Sequence, residues 1–162
     1  ELLVKSEKQG TKIIKADVSK EVKAGNVVID ILHPLEDSIG KESKNNSNDT
    51  SIVSRLIFGK DTFLFTADIS SKVEKEFISR GVNLKADVLK VAHHGSKYST
   101  SNEFLENMEP KVAVISVGKN SYGHPTPETL QRLENFAIHV LRTDEYGDIK
   151  IESDGNNIYI NK

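Results

Sequence analysis

Four residues of this chain combine the right types and surroundings to hold a metal ion, move a proton or grip a phosphate: Asp68, the tandem pair His93-His94, and His124. Each follows an apolar run that reads as a strand. Asp68 comes after Thr62-Phe-Leu-Phe-Thr-Ala67, the histidine pair after Asp87-Val-Leu-Lys-Val-Ala92, and His124 shortly after Val112-Ala-Val-Ile-Ser-Val117. In an α/β sheet the carboxyl ends of strands form the edge where ligands collect, so the three sites are expected to converge on one crevice. Carboxylate and imidazole are hard-metal and zinc donors, and they are acid–base groups as well. A carboxylate at such an edge can bridge two metal ions about 3.5–4 Å apart. Read as structure alone, Asp68 is a helix-start carboxylate and His124 a loop residue restrained by Pro125. Two adjacent histidines at the end of an extended strand point opposite ways, so one is expected to face the crevice while the other braces the loop. Gly95 leaves room there for a close or left-handed turn.

The elements that must position these residues alternate strand and helix. Val27–Leu32 reads as a strand stopped at His33-Pro34. The polar run 36–50 reads as a loop, and Ile52–Phe58 with Thr62–Ala67 as a hairpin turning at Gly59-Lys60-Asp61. Three helices follow. Ser71-x-x-Glu74 and Thr100-x-x-Glu103 have the form of capping boxes, and Thr126-Pro127 is a cap with proline at the first helical position. Their apolar stripes (Val73, Phe77, Ile78; Phe104, Leu105, Met108; Leu130, Leu133, Phe136) read as core. The last stretch reads as three strands, Ile138–Arg142, Asp148–Glu152 and Asn157–Ile160, with a turn at Asp154-Gly155.

Composition narrows the function classes. The 162 residues make one domain, and a net charge of −2 argues against broad attraction to nucleic acid or membranes. The absence of cysteine excludes disulfides, thiolate metal sites and thiol catalysis. No apolar run approaches the ~20 residues of a membrane span. The opening at Glu1 with Leu2-Leu3-Val4 reads as part of something longer. Lys90, Lys97 and Tyr98 form too thin a patch to track a nucleic-acid backbone and read as solvated surface.

Phe65-Thr66-Ala67-Asp68, Leu89-Lys-Val-Ala-His93-His94-Gly95-Ser96 and Tyr122-Gly123-His124-Pro125, in that order, resemble the second half of a metallo-β-lactamase-fold hydrolase. More narrowly they resemble the C-terminal hydrolase domain of ComEC-type DNA-uptake proteins, from about Val27 to Ile160. The resemblance implies the C-terminal portion of an αββα sandwich. It implies that Asp68 and His124 are ligands of two divalent metal ions, zinc or manganese, that His93 and His94 are catalytic, and that Ser96 and Tyr122 contact substrate. It implies a metal-dependent phosphodiester hydrolase of nuclease type, with DNA as substrate, at the extracytoplasmic face of a membrane-embedded parent. Motifs of this kind also occur in hydrolases of small or cell-wall phosphoesters, and in a degenerate copy they would leave a non-catalytic scaffold.

Two departures limit what this chain can do alone. The family's N-terminal His-x-His-x-Asp-His cluster, or its His-x-Asp-x-Asp-His variant, has no counterpart here. The family's middle metal histidine is also missing, with Asn48 or Asp49 as possible oxygen donors in its place and His33 reading as structural. A zinc site needs at least three protein ligands, and Asp68 and His124 supply two. The chain is therefore expected to hold metal weakly. It is also expected to need a companion, either the missing N-terminal half of the domain or an oligomer partner, over an otherwise exposed apolar sheet face.

Overall fold

The structure, a computed structural model, describes residues 2–14, 16–18, 20–35 and 47–162. A short helix α1 (Leu2–Lys8) precedes seven strands that lie side by side in chain order. They are β1 (Glu21–Ala24), β2 (Val27–His33), β3 (Val53–Phe58), β4 (Asp61–Phe65), β5 (Val88–Lys90), β6 (Val112–Ile115) and β7 (His139–Arg142). The first four are antiparallel neighbours and the last four run parallel.

Parallel neighbours need a crossover, and each is a helix: α2 (Ser71–Ser79), α3 (Asn102–Met108) and α4 (Pro127–Asn135). Every crossover advances one strand in the same direction. Right-handed connections then place all three helices on one face of the sheet. The core shows this layer: Phe77, Phe104, Leu105, Met108 and Leu133 bury against Leu64, Leu89, Ala113 and Ile115. A one-turn helix α5 (Thr143–Tyr146) then leads to a hairpin, β8 (Lys150–Ser153) and β9 (Ile158–Asn161).

The hairpin is tied to the opposite face. Lys60 donates its N–H to the Gly155 carbonyl at 2.7 Å, and Ser153 Oγ donates to Asp61 Oδ2 at 2.6 Å. Gly59 has no room for a side chain here, because a Cβ would overlap the Gly155 carbonyl. The layers are thus helices, a large mixed sheet and a small second sheet, as expected for a portion of the αββα sandwich.

Most expected elements are present, with shifts that have local causes. The helix cap before α2 is Ser70, whose hydroxyl accepts from Lys72 N–H, and not Ser71. Before α3 it is Ser101, accepting from Phe104 N–H, because Thr100 is left-handed (φ 56) and its N–H is taken by Glu74. Neither capping box therefore closes. Helix α4 begins with Pro127 as expected, but Thr126 turns its hydroxyl to the Gly95 carbonyl and to Thr129. Helices α1 and α5 and strand β1 were not anticipated; β1 is only four residues long and exposed throughout. Of the expected loop 36–50, residues 36–46 lie outside the described residues, and Ser47–Thr50 form a short 3-10 turn.

Candidate active site

The loops after β4, β5 and β6 leave the same edge of the sheet, and hydrogen bonds lace them together. Thr66 is fully buried and donates its hydroxyl to the Lys90 carbonyl at 2.6 Å, at the end of the neighbouring strand. The Ala67 carbonyl then accepts the N–H of His93 at 3.0 Å. In the next loop the Gly95 carbonyl accepts the Thr126 N–H at 2.9 Å. Gly95 is left-handed (φ +85), and a Cβ there would stand 2.6 Å from Pro125 Cβ. The His-His-Gly turn and the His124-Pro125 turn can approach this closely only through a glycine.

Both histidines of the tandem pair are left-handed, at φ 48 and φ 55. This overturns the expectation that they diverge. The alternation of side chains holds for extended backbone, and two successive left-handed residues turn both rings toward the same cleft. His93 sits 5.6 Å, ring to ring, from His124. His94 Nε2 lies 3.8 Å from Asp68 Oδ1, and its Nδ1 lies 2.7 Å from the Ser116 carbonyl. That carbonyl can only accept, so Nδ1 carries the proton. In neutral His94 a bare Nε2 then faces a carboxylate, and two electron-pair donors so placed call for a proton or a cation between them.

His124 is half-buried, and its backbone is clamped by one side chain. Asn120 Oδ1 accepts the N–H groups of Tyr122 and His124, at 3.0 and 3.1 Å, while Asn120 Nδ2 donates to the His124 carbonyl at 2.7 Å. Burial, and then the positive charges of His93 and His94, lower the pKa of His124 below the ordinary 6.5. Neutral imidazole, the form that binds metal, thus prevails at neutral pH. In the His93→Ala protein, NMR titration should find the His124 midpoint raised toward its ordinary value, since one repelling charge has gone; an unmoved midpoint would contradict this geometry.

The remaining sequence-derived candidates fall around this cluster. Tyr122 is exposed over 82 % of its surface, with its ring 6.1 Å from that of His124. Ser96 is 2 % exposed; its hydroxyl accepts weakly from Tyr98 N–H at 3.4 Å and its carbonyl from Thr129 Oγ1 at 3.1 Å. His33 is structural, with Nδ1 2.7 Å from the Ser51 carbonyl and its ring edge-on to Phe77. Asp49 Oδ1 accepts the hydroxyl of Ser70 at 2.6 Å. Lys90 does not lie on the solvated surface as expected: it is largely buried, and burial lowers its pKa.

The roles of Asn120 and Thr129 were not foreseen from the sequence, and Thr126 and Glu74 were read only as helix-start residues. An Asn two residues before Tyr-Gly is a recognisable side-chain turn signal, and it was the one available hint. Glu74 is fully buried and accepts the N–H groups of Thr100 and Ser101, the latter at 2.9 Å. Ser99 Oγ donates to the Ile69 carbonyl at 2.7 Å, which fastens the same segment to the loop that carries Asp68.

Ala67 offers a direct check on the local strain. It is exposed and left-handed (φ 46), a conformation that costs an L-residue roughly 1–2 kcal/mol. Ala67→Gly should raise stability by about 1 kcal/mol in urea unfolding, after the greater flexibility of glycine in the unfolded chain is deducted. A destabilised variant would refute the assignment of strain.

The sequence profile of the metallo-beta-lactamase superfamily matches residues 24–119, more than half of the chain. The chain belongs to this superfamily. Among curated relatives it is similar to ComE operon protein 3 of Bacillus subtilis (strain 168), at 42 % identity over 81 % of this chain and 17 % of the relative. It is similar to competence protein ComA of Neisseria gonorrhoeae at 38 % identity over 67 % of this chain and 16 % of the relative. Recombination protein 2 of Haemophilus influenzae is 37 % identical over 64 % of this chain and 13 % of its own length. The chain therefore spans about a sixth of the length of the curated relatives it matches, and competence proteins of the ComEC type are among its homologues.

Members of the superfamily usually hold divalent metals, so the donor set here has to be weighed against that. Asp68 and neutral His124 are of the right chemistry. Yet no group of three or more His, Cys, Asp or Glu side chains among the described residues is placed to hold an ion. The set fits a metal in kind and falls short in number.

Proposed function

We propose that this metallo-beta-lactamase-superfamily chain supplies one side of a metal-dependent phosphodiester hydrolase, nuclease-like, that acts on DNA during uptake in competence. The observation that carries the reading is the meeting of Asp68, His93, His94 and His124, from three separate loops, at one sheet edge. The similarity to competence proteins supports the choice of DNA over other phosphodiesters.

Asp68 and His124 are the residues that would hold divalent ions, zinc or manganese, since the chain offers oxygen and imidazole donors and no thiolate. Bound ions of this kind lower the pKa of water and neutralise charge on phosphoryl oxygens. The chain's own residues do the rest. The Ser116 carbonyl holds His94 Nδ1–H and so aims Nε2 outward beside Asp68. From that position Nε2 gives its proton to the departing oxygen. His93, against His124, brings a further imidazole N–H within the same cleft for a phosphate oxygen, and Tyr122 presents an open ring beside it.

The donors that are short come from a companion, the N-terminal half of the same domain in a longer, membrane-embedded protein, with the site facing outward from the cell. No helix among the described residues is long and apolar enough to cross a membrane.

The test is hydrolysis by the protein as its cells make it. His94→Ala should slow metal-dependent DNA cleavage by about 10²–10⁴-fold while bound metal is unchanged, as expected for loss of a general acid. Cleavage of a choline-phosphate ester but not of DNA would favour a small-phosphoester hydrolase. The incomplete donor set favours one rival, a scaffold domain, and unchanged uptake in a variant lacking Asp68, His93 and His94 would establish it.

A further inference from the structure

Hydroxyl side chains at helix starts commonly cap the free N–H groups of their own helix. Thr143, the first residue of α5, spends its hydroxyl on the end of β6 instead. Arg142 stands beside Ile115 in the register of β6 and β7, so Thr143 follows just past the last rung, beside the residues that leave β6. Its Oγ1 accepts the Val117 N–H at 2.8 Å and donates to the Val117 carbonyl at 2.7 Å. A hydroxyl has one proton and two lone pairs, so it makes both bonds at once.

The Val117 N–H belongs to the same peptide unit as the Ser116 carbonyl, and that carbonyl stands 2.7 Å from His94 Nδ1. A trans peptide is planar, with N–H and C=O pointing opposite ways, so holding one end aims the other. Linked hydrogen bonds also polarise one another, and an engaged N–H makes its carbonyl a better acceptor. We propose that Thr143 is a positioning residue for His94: through the Ser116–Val117 peptide it keeps one imidazole proton on Nδ1 and leaves Nε2 to face Asp68. Imidazolium carries a proton on each nitrogen, and the one given to a departing oxygen is that on Nε2. A carbonyl pinned against Nδ1–H retains the other. The fourth parallel strand thereby serves a site whose side chains come from the loops after the first three. This role rests on the reading of His94 as general acid and deepens it by naming what sets the tautomer.

Nitrogen NMR of the protein as its cells make it, labelled at histidine and with zinc as the added metal, reads the tautomer directly. The His94 signal is the one lost in His94→Ala. In the wild-type protein its Nδ1 should carry a proton throughout, and a bare Nδ1 there overturns the proposal without any variant. Thr143→Val keeps the shape of the side chain and removes the hydroxyl, so the neutral ring should divide its proton between the two nitrogens. The same variant should lower kcat for DNA cleavage about tenfold with KM unchanged, a fraction of the roughly 10²–10⁴-fold lost with the acid itself. Thr143→Ser, which retains the hydroxyl, should restore both readings. In the His94→Ala protein, Thr143→Val should slow cleavage no further, because its effect passes through the missing ring. An unmoved tautomer in Thr143→Val, failure of Thr143→Ser to restore it, or a further tenfold loss without His94 would each contradict the role. Should the protein leave DNA intact, the hydrolytic reading fails, and the tautomer still decides whether Thr143 sets the state of His94.

Discussion

Gly95→Ala is expected to lower stability by about 2–5 kcal/mol and to disperse the histidine cluster. Two costs combine. The left-handed backbone charges an L-residue roughly 1–2 kcal/mol, and forcing a methyl into packed atoms adds roughly 1–3 kcal/mol. The added Cβ would meet Pro125 Cβ at 2.6 Å and Pro125 Cα at 3.0 Å, so relief requires the turn around His124 to withdraw. Gly123→Ala is the control: it is also left-handed, at φ +75, but nothing lies within 4 Å of its added methyl. It should pay only the backbone cost of roughly 1–2 kcal/mol. Urea unfolding of the two variants separates clash from backbone strain, and equal losses would mean that the approach of the two loops is not what Gly95 serves.

Glu74→Ala should cost about 2–4 kcal/mol, although Glu74 touches none of the site residues. The carboxylate is fully buried, and its removal strands the N–H groups of Thr100 and Ser101, each worth roughly 1–3 kcal/mol when left without a partner. The loss is tempered by relief of the desolvated charge. Burial, opposed by those N–H bonds and by Arg132, raises the Glu74 carboxyl above its ordinary 4.5. Its folded value therefore exceeds its unfolded one, so the folded state binds the proton more tightly. The contribution of Glu74 is full below the ordinary carboxylate range and declines as pH rises through that range to the folded value. The gap between wild type and Glu74→Ala should thus be widest in acid and narrow toward neutrality. A gap that widens with pH would show that the N–H bonds, and not burial, dominate.

The outline of the fold was legible because parallel strands and crossover helices leave periodic marks. Phe63, Leu64 and Phe65, then Val88 and Leu89, then Val112 to Ile115 read as strands from their apolar runs, and the polar residues just past them read as the ligand-bearing edge. What stayed hidden is backbone handedness and long-range hydrogen bonding. Nothing local marks His93 and His94 as left-handed; that conformation depends on the Ala67 carbonyl from one neighbouring loop and the Ser116 carbonyl from another. Glu74 resembled a capping residue because Ser71 stands three positions before it, whereas its true partners are 26 and 27 positions ahead. Adjacent hydroxyls also blurred the helix starts. Ser70 competes with Ser71, and Ser101 with Thr100, and tertiary contacts decide between them. Asn120 clamps a turn through bonds that span only two to four residues, so it was the one missed residue with a local signal.

Calorimetric titration of this 162-residue chain with zinc and with manganese tests the central claim most directly, that one cleft gathers metal-competent donors in too small a number to close a site. The account predicts weak binding, well short of one tightly held ion, that Asp68→Asn and His124→Ala each abolish. Stoichiometric binding below micromolar metal, or binding that survives both substitutions, would contradict it.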